Sequence, residues 1–263
     1  MTYRRFFSAV FVCLLASGCS LFDPKTKTES ADAERKRPAS PDAAAQPAAP
    51  RISPLTHLAA GQMLERQGDL QGAIEQYEKA ISINPRFTTA WNRLAIVYQK
   101  QGKFADAEQV FQQGIRADPG AAMLRNNLGY IYLTQNRLDQ AEIQCREALQ
   151  ISPEFKRARM NLAVTLAHMG RPQESLIEFS HVVSADMAHY NLGVISLNLK
   201  DYALAERSFR QALSINPDCP GAKECLERAS RLARGGPGQP VGPPLPSDAS
   251  LAGQIGAEGA NQQ

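Results

Sequence analysis

The stretch GDLQGAIEQYEKAISINP (68–85) decides the fold, because the chain carries three more variants of it. The variants are GKFADAEQVFQQGIRADP (102–119), NRLDQAEIQCREALQISP (136–153) and KDYALAERSFRQALSINP (200–217). Each has small and apolar residues at helical spacing and ends on a proline, which stops a helix because the residue before a proline disfavours the helical conformation. The four prolines therefore mark the ends of four similar helices.

Counting back from these prolines divides the chain into units of 34 residues, with one exception. A fourth unit of thirty residues fills the gap and lacks the closing proline, so its second helix is expected to be shorter. Self-similarity at this period predicts stacked pairs of helices. The expected units are 54–87, 88–121, 122–155, 156–185 and 186–219, followed by a cap helix at 220–234.

The positions within each unit resemble those of tetratricopeptide (TPR) repeats. Position eight is small, where the two helices of a unit cross: Gly61, Ala95, Gly129, Ala163 and Gly193. Position twenty is also small: Ala73, Ala107, Ala141, Ser175 and Ala205. Position twenty-four is aromatic, except for Cys145 in unit three: Tyr77, Phe111, Phe179 and Phe209. The resemblance implies an all-α TPR solenoid of about five helix-turn-helix repeats plus a C-terminal cap helix.

The amino terminus has the pattern of a secretory signal. Arg4 and Arg5 precede an apolar stretch of twelve residues (6–17), which is too short for a helix that needs about 20 residues to cross a bilayer. LLASGC (14–19) resembles the lipobox of bacterial lipoproteins, and this resemblance implies that residues 1–18 are removed and that Cys19 is lipidated. The expected location is the cell envelope, on the outer membrane facing the periplasm.

The segments on both sides of the repeats are poor in large apolar residues. Residues 19–53 and 235–263 cannot bury enough surface to offset the entropy of ordering, so a disordered tether and a disordered Gly/Pro-rich tail are expected. The tail contains PVGPPLP (240–246), which is either a spacer or a polyproline II ligand. A net charge of +3 with scattered charges does not indicate nucleic-acid binding.

No motif of an enzyme, a metal site or a cofactor site is recognisable. The chain lacks G-x-S-x-G, H-E-x-x-H and a glycine-rich phosphate loop, and its four histidines fall in different helices. Cys145 is expected in the core as a small apolar residue. Cys219 and Cys225 flank the start of the cap helix, and either a disulfide or two free thiols fits their spacing.

Asparagine recurs at position six, as Asn127, Asn161 and Asn191. The TPR resemblance implies that this position lines a concave groove, similar to the asparagine ladder of the eukaryotic O-linked N-acetylglucosamine transferases. Amides donate and accept, so such a column can hold the main chain of an extended peptide; the alternative is hydrogen bonding between units. The expected groove residues are Asn92, Arg93, Asn127, Tyr130, Arg157, Met160, Asn161, Tyr190 and Asn191.

These features predict a lipid-anchored, non-enzymatic adaptor that holds an extended segment of a partner protein. The architecture resembles TPR lipoproteins of type IV and tight-adherence (Flp) pilus assembly and of secretion machines. Two alternatives remain open. One is a structural envelope protein that associates with itself, and the other is an accessory that presents substrates to a separate enzyme.

Overall fold

The computed structural model describes residues 53–235, and within this range it contains eleven α-helices and no strand. The first helices of the five pairs are Pro54–Gln67 (α1), Thr88–Lys100 (α3), Ala122–Thr134 (α5), Lys156–His168 (α7) and Ala185–Asn198 (α9). The second helices are Leu70–Ile83 (α2), Phe104–Ala117 (α4), Leu138–Ile151 (α6), Pro172–Ser180 (α8) and Tyr202–Ile215 (α10). The cap helix is Ala222–Ala233 (α11). The predicted fold class is thereby confirmed, whereas Cys19 and both terminal segments lie outside the described residues.

In three of the five pairs, a glycine on the first helix packs against the side chain at position twenty-four, which lies on the second helix. Phe209 is completely buried, and a Cβ added to Gly193 would lie 2.7 Å from its Cε1 atom. An added Cβ would come similarly close to the Tyr77 ring at Gly61 and to the sulfur of Cys145 at Gly129. The small residue at position eight therefore lets the helices approach until the side chain at position twenty-four fills the space between them.

The closing prolines stop the second helices and also connect them to the next pair. The residue before each of these prolines is extended, as at Asn84 and Asp118. The carbonyl oxygen of Pro85 accepts a hydrogen bond from Nε1 of Trp91 at 2.8 Å. Arg125 and Arg159 donate in the same way to the prolines six residues before them. The turn between repeats is thus tied to the helix that follows it.

Ion pairs link second helices to the following repeat at two equivalent places. Arg137 contacts Glu108 at 2.6 Å, and Arg171 contacts Glu142 at 2.8 Å, in both cases across 29 residues. At the next junction the corresponding residues are Leu176 and Asp201, which line a cleft of about 590 Å³. The fourth and fifth repeats are joined without this ion pair.

The fourth repeat differs from the others as its sequence predicts. Its second helix, α8, has nine residues, whereas the other four second helices have fourteen each. His181 to Ser184 then lead directly into α9, without a proline turn. The expected shortening of this helix is confirmed.

The cap helix covers the end of the array with one face. Ala222 and Ala229 are completely buried, and Cys225 packs beside them. Cys145, Cys219 and Cys225 are all buried and carry free thiols, so the structure contains the free-thiol alternative and no bond between Cys219 and Cys225. Cys145 lies in the core as predicted.

Candidate functional site on the first helices

Four asparagines form a continuous hydrogen-bonded row across the first helices α3, α5 and α7. Nδ2 of Asn161 donates to Oδ1 of Asn126 at 2.8 Å, and Nδ2 of Asn126 donates to Oδ1 of Asn127 at 2.9 Å. Nδ2 of Asn127 then donates to Oδ1 of Asn92 at 2.6 Å. This set is called the asparagine row below. It connects three successive repeats through side-chain amides.

The spacing of the row follows from the repeat. Asn92 and Asn126 occupy position five of units two and three. Their partners, Asn127 and Asn161, occupy position six of units three and four. Position five of one first helix therefore accepts from position six of the following helix, 35 residues later. Asn191 also occupies position six, but its neighbour at position five is Met160, which has no amide to accept.

Three of the predicted groove residues are buried, although the sequence pattern predicts that they face a ligand. Asn161 is 1% exposed, Asn191 is 4% exposed and Met160 is 2% exposed, so these side chains present almost no surface to a ligand. The cause is packing on several sides, because α7 lies against the second helices α6 and α8 as well as the first helices α5 and α9, and α9 lies against α8, α10 and α7. The exposed column expected at position six is, in this structure, largely an internal contact between repeats.

Tyr190 is half-buried, and its ring packs inward. Its ring lies 5.8 Å from that of Phe209, at an angle of 59°, and its hydroxyl lies beside Gly221 at the start of the cap helix. Burial raises the pKa of Tyr190 to about 12, and the neighbouring Cys225 adds to the shift. The structure therefore places Tyr190 in the joint between α9, α10 and α11.

Other predicted residues remain partly exposed on the first helices. Asn92, Arg93, Asn127, Tyr130 and Arg157 are all half-buried. Burial raises the pKa of the Tyr130 phenol, which keeps it in the neutral, hydrogen-bonding form at neutral pH. These side chains form the part of the predicted groove that a partner can touch, and they define what is called the first-helix face below.

Two buried polar atoms on α7 lack hydrogen-bond partners among residues 53–235. They are Nε of Arg157, a donor, and Oδ1 of Asn161, an acceptor. The two residues are four positions apart and so lie on the same side of the helix. Leaving such groups unpaired costs about 1–3 kcal/mol each, so a rearrangement of α7 that exposes this donor and acceptor would let a ligand pair with both.

A small polar pocket lies between α1 and α3, at the other end of the first-helix face. Gln62, Glu65, Arg66, Arg93 and Lys100 line a volume of about 330 Å³. Oε1 of Glu65 contacts Nζ of Lys100 at 2.6 Å, and Oε2 accepts from the Tyr77 hydroxyl at 2.8 Å. It is called the α1–α3 pocket below.

Within residues 53–235, no cluster of three or more histidine, cysteine or acidic side chains is arranged to hold a metal ion. No helix in the same range is long and apolar enough to cross a membrane.

Comparison with protein families identifies the repeats. The model described as a TPR repeat matches residues 61–102, and models described as tetratricopeptide repeats match residues 92–154 and 187–219. The described part of the chain is therefore a TPR array. A comparison with curated proteins found no match.

Solved structures support the same fold. A tetratricopeptide repeat protein from Parabacteroides merdae aligns with a TM-score of 0.54 and 17% identity, over 69% of this chain and 73% of that one. YrrB, described as a TPR protein with an unusual peptide-binding site, aligns with a TM-score of 0.51 and 21% identity, over 68% and 94%. PilF of Pseudomonas aeruginosa aligns with a TM-score of 0.51 and 18% identity, over 78% and 89%. The TPR fold indicates a scaffold for protein–protein interaction.

Proposed function

We propose that the chain is an adaptor that holds an extended segment of a partner protein on its first-helix face. The observation that carries this proposal is the unpaired donor and acceptor on α7, Nε of Arg157 and Oδ1 of Asn161. A peptide group offers a carbonyl oxygen and an N–H, which are the complementary acceptor and donor. An extended segment presents such groups whatever its side chains are.

The bound segment has further partners along α3 and α5. Asn92 and Asn127 are half-exposed, and each amide uses only part of its hydrogen-bonding capacity within the row. Tyr130 adds a flat, partly buried ring with a neutral hydroxyl. Single hydrogen bonds of this kind contribute about 0.5–1.5 kcal/mol each, so the affinity comes from several repeats acting together. YrrB, with a similar fold and a described peptide-binding site, supports this use of the array.

Reaching α7 requires a local rearrangement. Both unpaired atoms are shielded in the structure, although the rest of the Arg157 side chain is half-exposed. We propose that Arg157 changes rotamer when the segment binds, because rotamer changes of side chains that reach the surface occur within nanoseconds.

A pull-down after crosslinking in the native envelope tests this function. The binding variant is Tyr130→Ala combined with Arg157→Met, and the matched control is Gln113→Ala combined with Arg116→Met, on the second helix α4. Wild type and the control are expected to capture the same partner, and the binding variant is expected to lose it while its circular dichroism is unchanged. Capture by a folded binding variant would contradict the proposal and move the binding surface to the second helices.

The proposal includes a lipid anchor at Cys19 and a place on the outer membrane, facing the periplasm. Its support is the signal and lipobox pattern at residues 1–19, which lies outside the described residues. Metabolic labelling with an azide-bearing fatty acid is expected to mark the wild type but not Cys19→Ser, and the variant is expected to leave the membrane fraction. Equal labelling of the two chains would contradict this assignment.

The partner is proposed to belong to a pilus or secretion machine of the envelope. Two observations support this. The order of signal, tether and repeats resembles that of TPR lipoproteins of pilus assembly and secretion machines, and the fold is similar to that of PilF. Deletion of the gene is expected to reduce surface pili or assembled secretin rings, measured by electron microscopy and by gel analysis of the multimer. A deletion strain with normal levels of both would remove this part of the proposal.

A further inference from the structure

We propose that the α1–α3 pocket binds a carboxylate of the partner segment, so that the partner carries an acidic residue where it passes α1 and α3. This inference rests on the adaptor function proposed above and adds the chemistry of the partner. Three cationic side chains, Arg66, Arg93 and Lys100, surround a single carboxylate, Glu65.

Glu65 is already engaged within the protein. Burial acts to raise its pKa, but hydrogen bonds from Lys100 and Tyr77 and the charge of Arg93 outweigh burial, so the pKa lies below the usual range. Glu65 is therefore ionised at neutral pH, and its oxygens accept from Lys100 and Tyr77 at 2.6 and 2.8 Å. One of the three positive charges is thereby compensated.

The two arginines have unused hydrogen-bonding capacity. Nη1 of Arg93 lies 4.0 Å from Glu65, which is too far for a hydrogen bond, and the Arg93 side chain is 40% exposed. Arg66 is exposed and makes no hydrogen bond or ion pair with any residue of the described range. A guanidinium group presents a planar pair of donors that fits a carboxylate. The pocket therefore presents a net positive charge and two guanidinium groups that make no hydrogen bond with the described residues.

The cluster of positive charges is confined to this end of the first-helix face, whose other arginine is Arg157 on α7. Positions six and thirteen are Arg93 and Lys100 in unit two, but neither position holds an arginine or a lysine in the next three units. The residues there are Asn127 and Thr134, Asn161 and His168, and Asn191 and Asn198. The pocket thus distinguishes one end of the bound segment from the other and sets its direction along the array.

Nuclear magnetic resonance of the arginine side chains of the full chain tests this inference. The probes are a tetrapeptide of aspartate and an uncharged tetrapeptide of asparagine, both acetylated and amidated at their ends, followed through the Nε–Hε signals of Arg66 and Arg93. The aspartate probe is expected to shift both signals saturably, at millimolar concentration because such a short peptide makes few contacts. The asparagine probe is expected to shift them at least about tenfold less, and raising the salt concentration should weaken the aspartate effect.

Two variants keep the test specific. Arg93→Gln is expected to weaken the aspartate response of Arg66 by about tenfold, whereas Arg116→Gln, an exposed arginine on α4, should leave it unchanged. No saturable shift up to about 20 mM aspartate probe would overturn the inference, as would an equal response to a thymidine tetranucleotide, which would indicate a general anion site. These outcomes leave the adaptor function standing, since its pull-down test does not depend on an acidic partner.

Discussion

Nδ2 of Asn161 donates a hydrogen bond to Oδ1 of Asn126 over 2.8 Å, from α7 to α5, and both side chains are at most 1% exposed. The contact joins position six of one repeat to position five of the repeat before it. Asn127 and Asn92 repeat it one unit earlier at 2.6 Å. The recurrent asparagines therefore form the contact between repeats, and only Asn92 and Asn127 of the row remain accessible to a partner.

Replacing Asn126 with alanine is expected to destabilise the array. The substitution leaves Nδ2 of Asn161 and Oδ1 of Asn127 without their partners, which costs about 2–3 kcal/mol in total. For a domain of this size the thermal midpoint should fall by roughly 5–10 °C, measured by circular dichroism. The control Gln113→Ala removes an exposed amide and should shift the midpoint by less than about 2 °C. Equal shifts for the two variants would show that the row adds nothing to stability.

Gly193→Ala is expected to destabilise the fifth repeat although alanine is the better helix former. The added Cβ would lie 2.7 Å from the Phe209 ring, which is completely buried and cannot withdraw. We expect a loss of about 1–3 kcal/mol, measured by urea unfolding. Gly120→Ala is the control, because the nearest atom to its added Cβ would be 3.4 Å away, on the half-buried side chain of Asp118. A stability of Gly193→Ala equal to that of the control would contradict the close packing at position eight.

The ion pair between Arg137 and Glu108 is expected to make stability depend on pH. The hydrogen bond from Arg137 lowers the pKa of Glu108, with a smaller contribution from the Tyr132 hydroxyl. Because the pKa of Glu108 is lower in the folded state, the pair adds stability when the pH is above the pKa of the unfolded chain, about 4.3. This stability is lost as the pH falls through the pKa of the folded state.

Arg137→Met should therefore lose about 0.5–1 kcal/mol at pH 7, since the pair is partly exposed. The difference in free energy of unfolding between wild type and Arg137→Met should shrink between about pH 4.3 and pH 3. The part that remains comes from the contact of Arg137 with the Tyr132 ring, which does not depend on pH. Urea unfolding at both ends of this range measures the difference, with Arg116→Met as the control. A difference that stays constant over this range would show that Glu108 and Arg137 are not coupled.

The three described cysteines are expected to resist alkylation in the folded protein. Burial raises the pKa of Cys145 to about 12, and burial also raises those of Cys219 and Cys225, so little reactive thiolate exists at pH 8. Iodoacetamide should label them at the rate of unfolding, followed by peptide mass spectrometry. In guanidinium chloride without reductant, all three should label at once. Labelling of Cys219 and Cys225 only after reduction would show that the purified protein contains a disulfide.

The fold could be predicted because its determinants recur in the sequence. The glycines at position eight, the large residues at position twenty-four and the closing prolines each have a local steric reason, and the structure places them accordingly. The role of the asparagines was harder to predict, because position six specifies only the side of the helix on which a residue lies. The informative signal was a pair of spacings of 35 residues, Asn92 to Asn127 and Asn126 to Asn161, one longer than the repeat.

The remaining parts of the site depend on packing that the repeat pattern does not specify. The engagement of Tyr190 with Phe209 and the cap helix follows from how α11 closes the array. The α1–α3 pocket needs Glu65 to turn toward both Tyr77 and Lys100, which only the assembled helices show. Glu65 has no acidic counterpart at position twelve of the later units, so these contacts leave no periodic trace in the sequence.

The most direct test of the adaptor function is photo-crosslinking from single positions in the native envelope. Benzoylphenylalanine is placed at Tyr130 on the first-helix face or at Gln113 on α4, and crosslinked peptides are identified by mass spectrometry. The proposed function predicts that position 130 links to one contiguous segment of a single partner and that position 113 does not. Crosslinks from position 113 with none from position 130 would contradict it, because the partner would then bind the second helices.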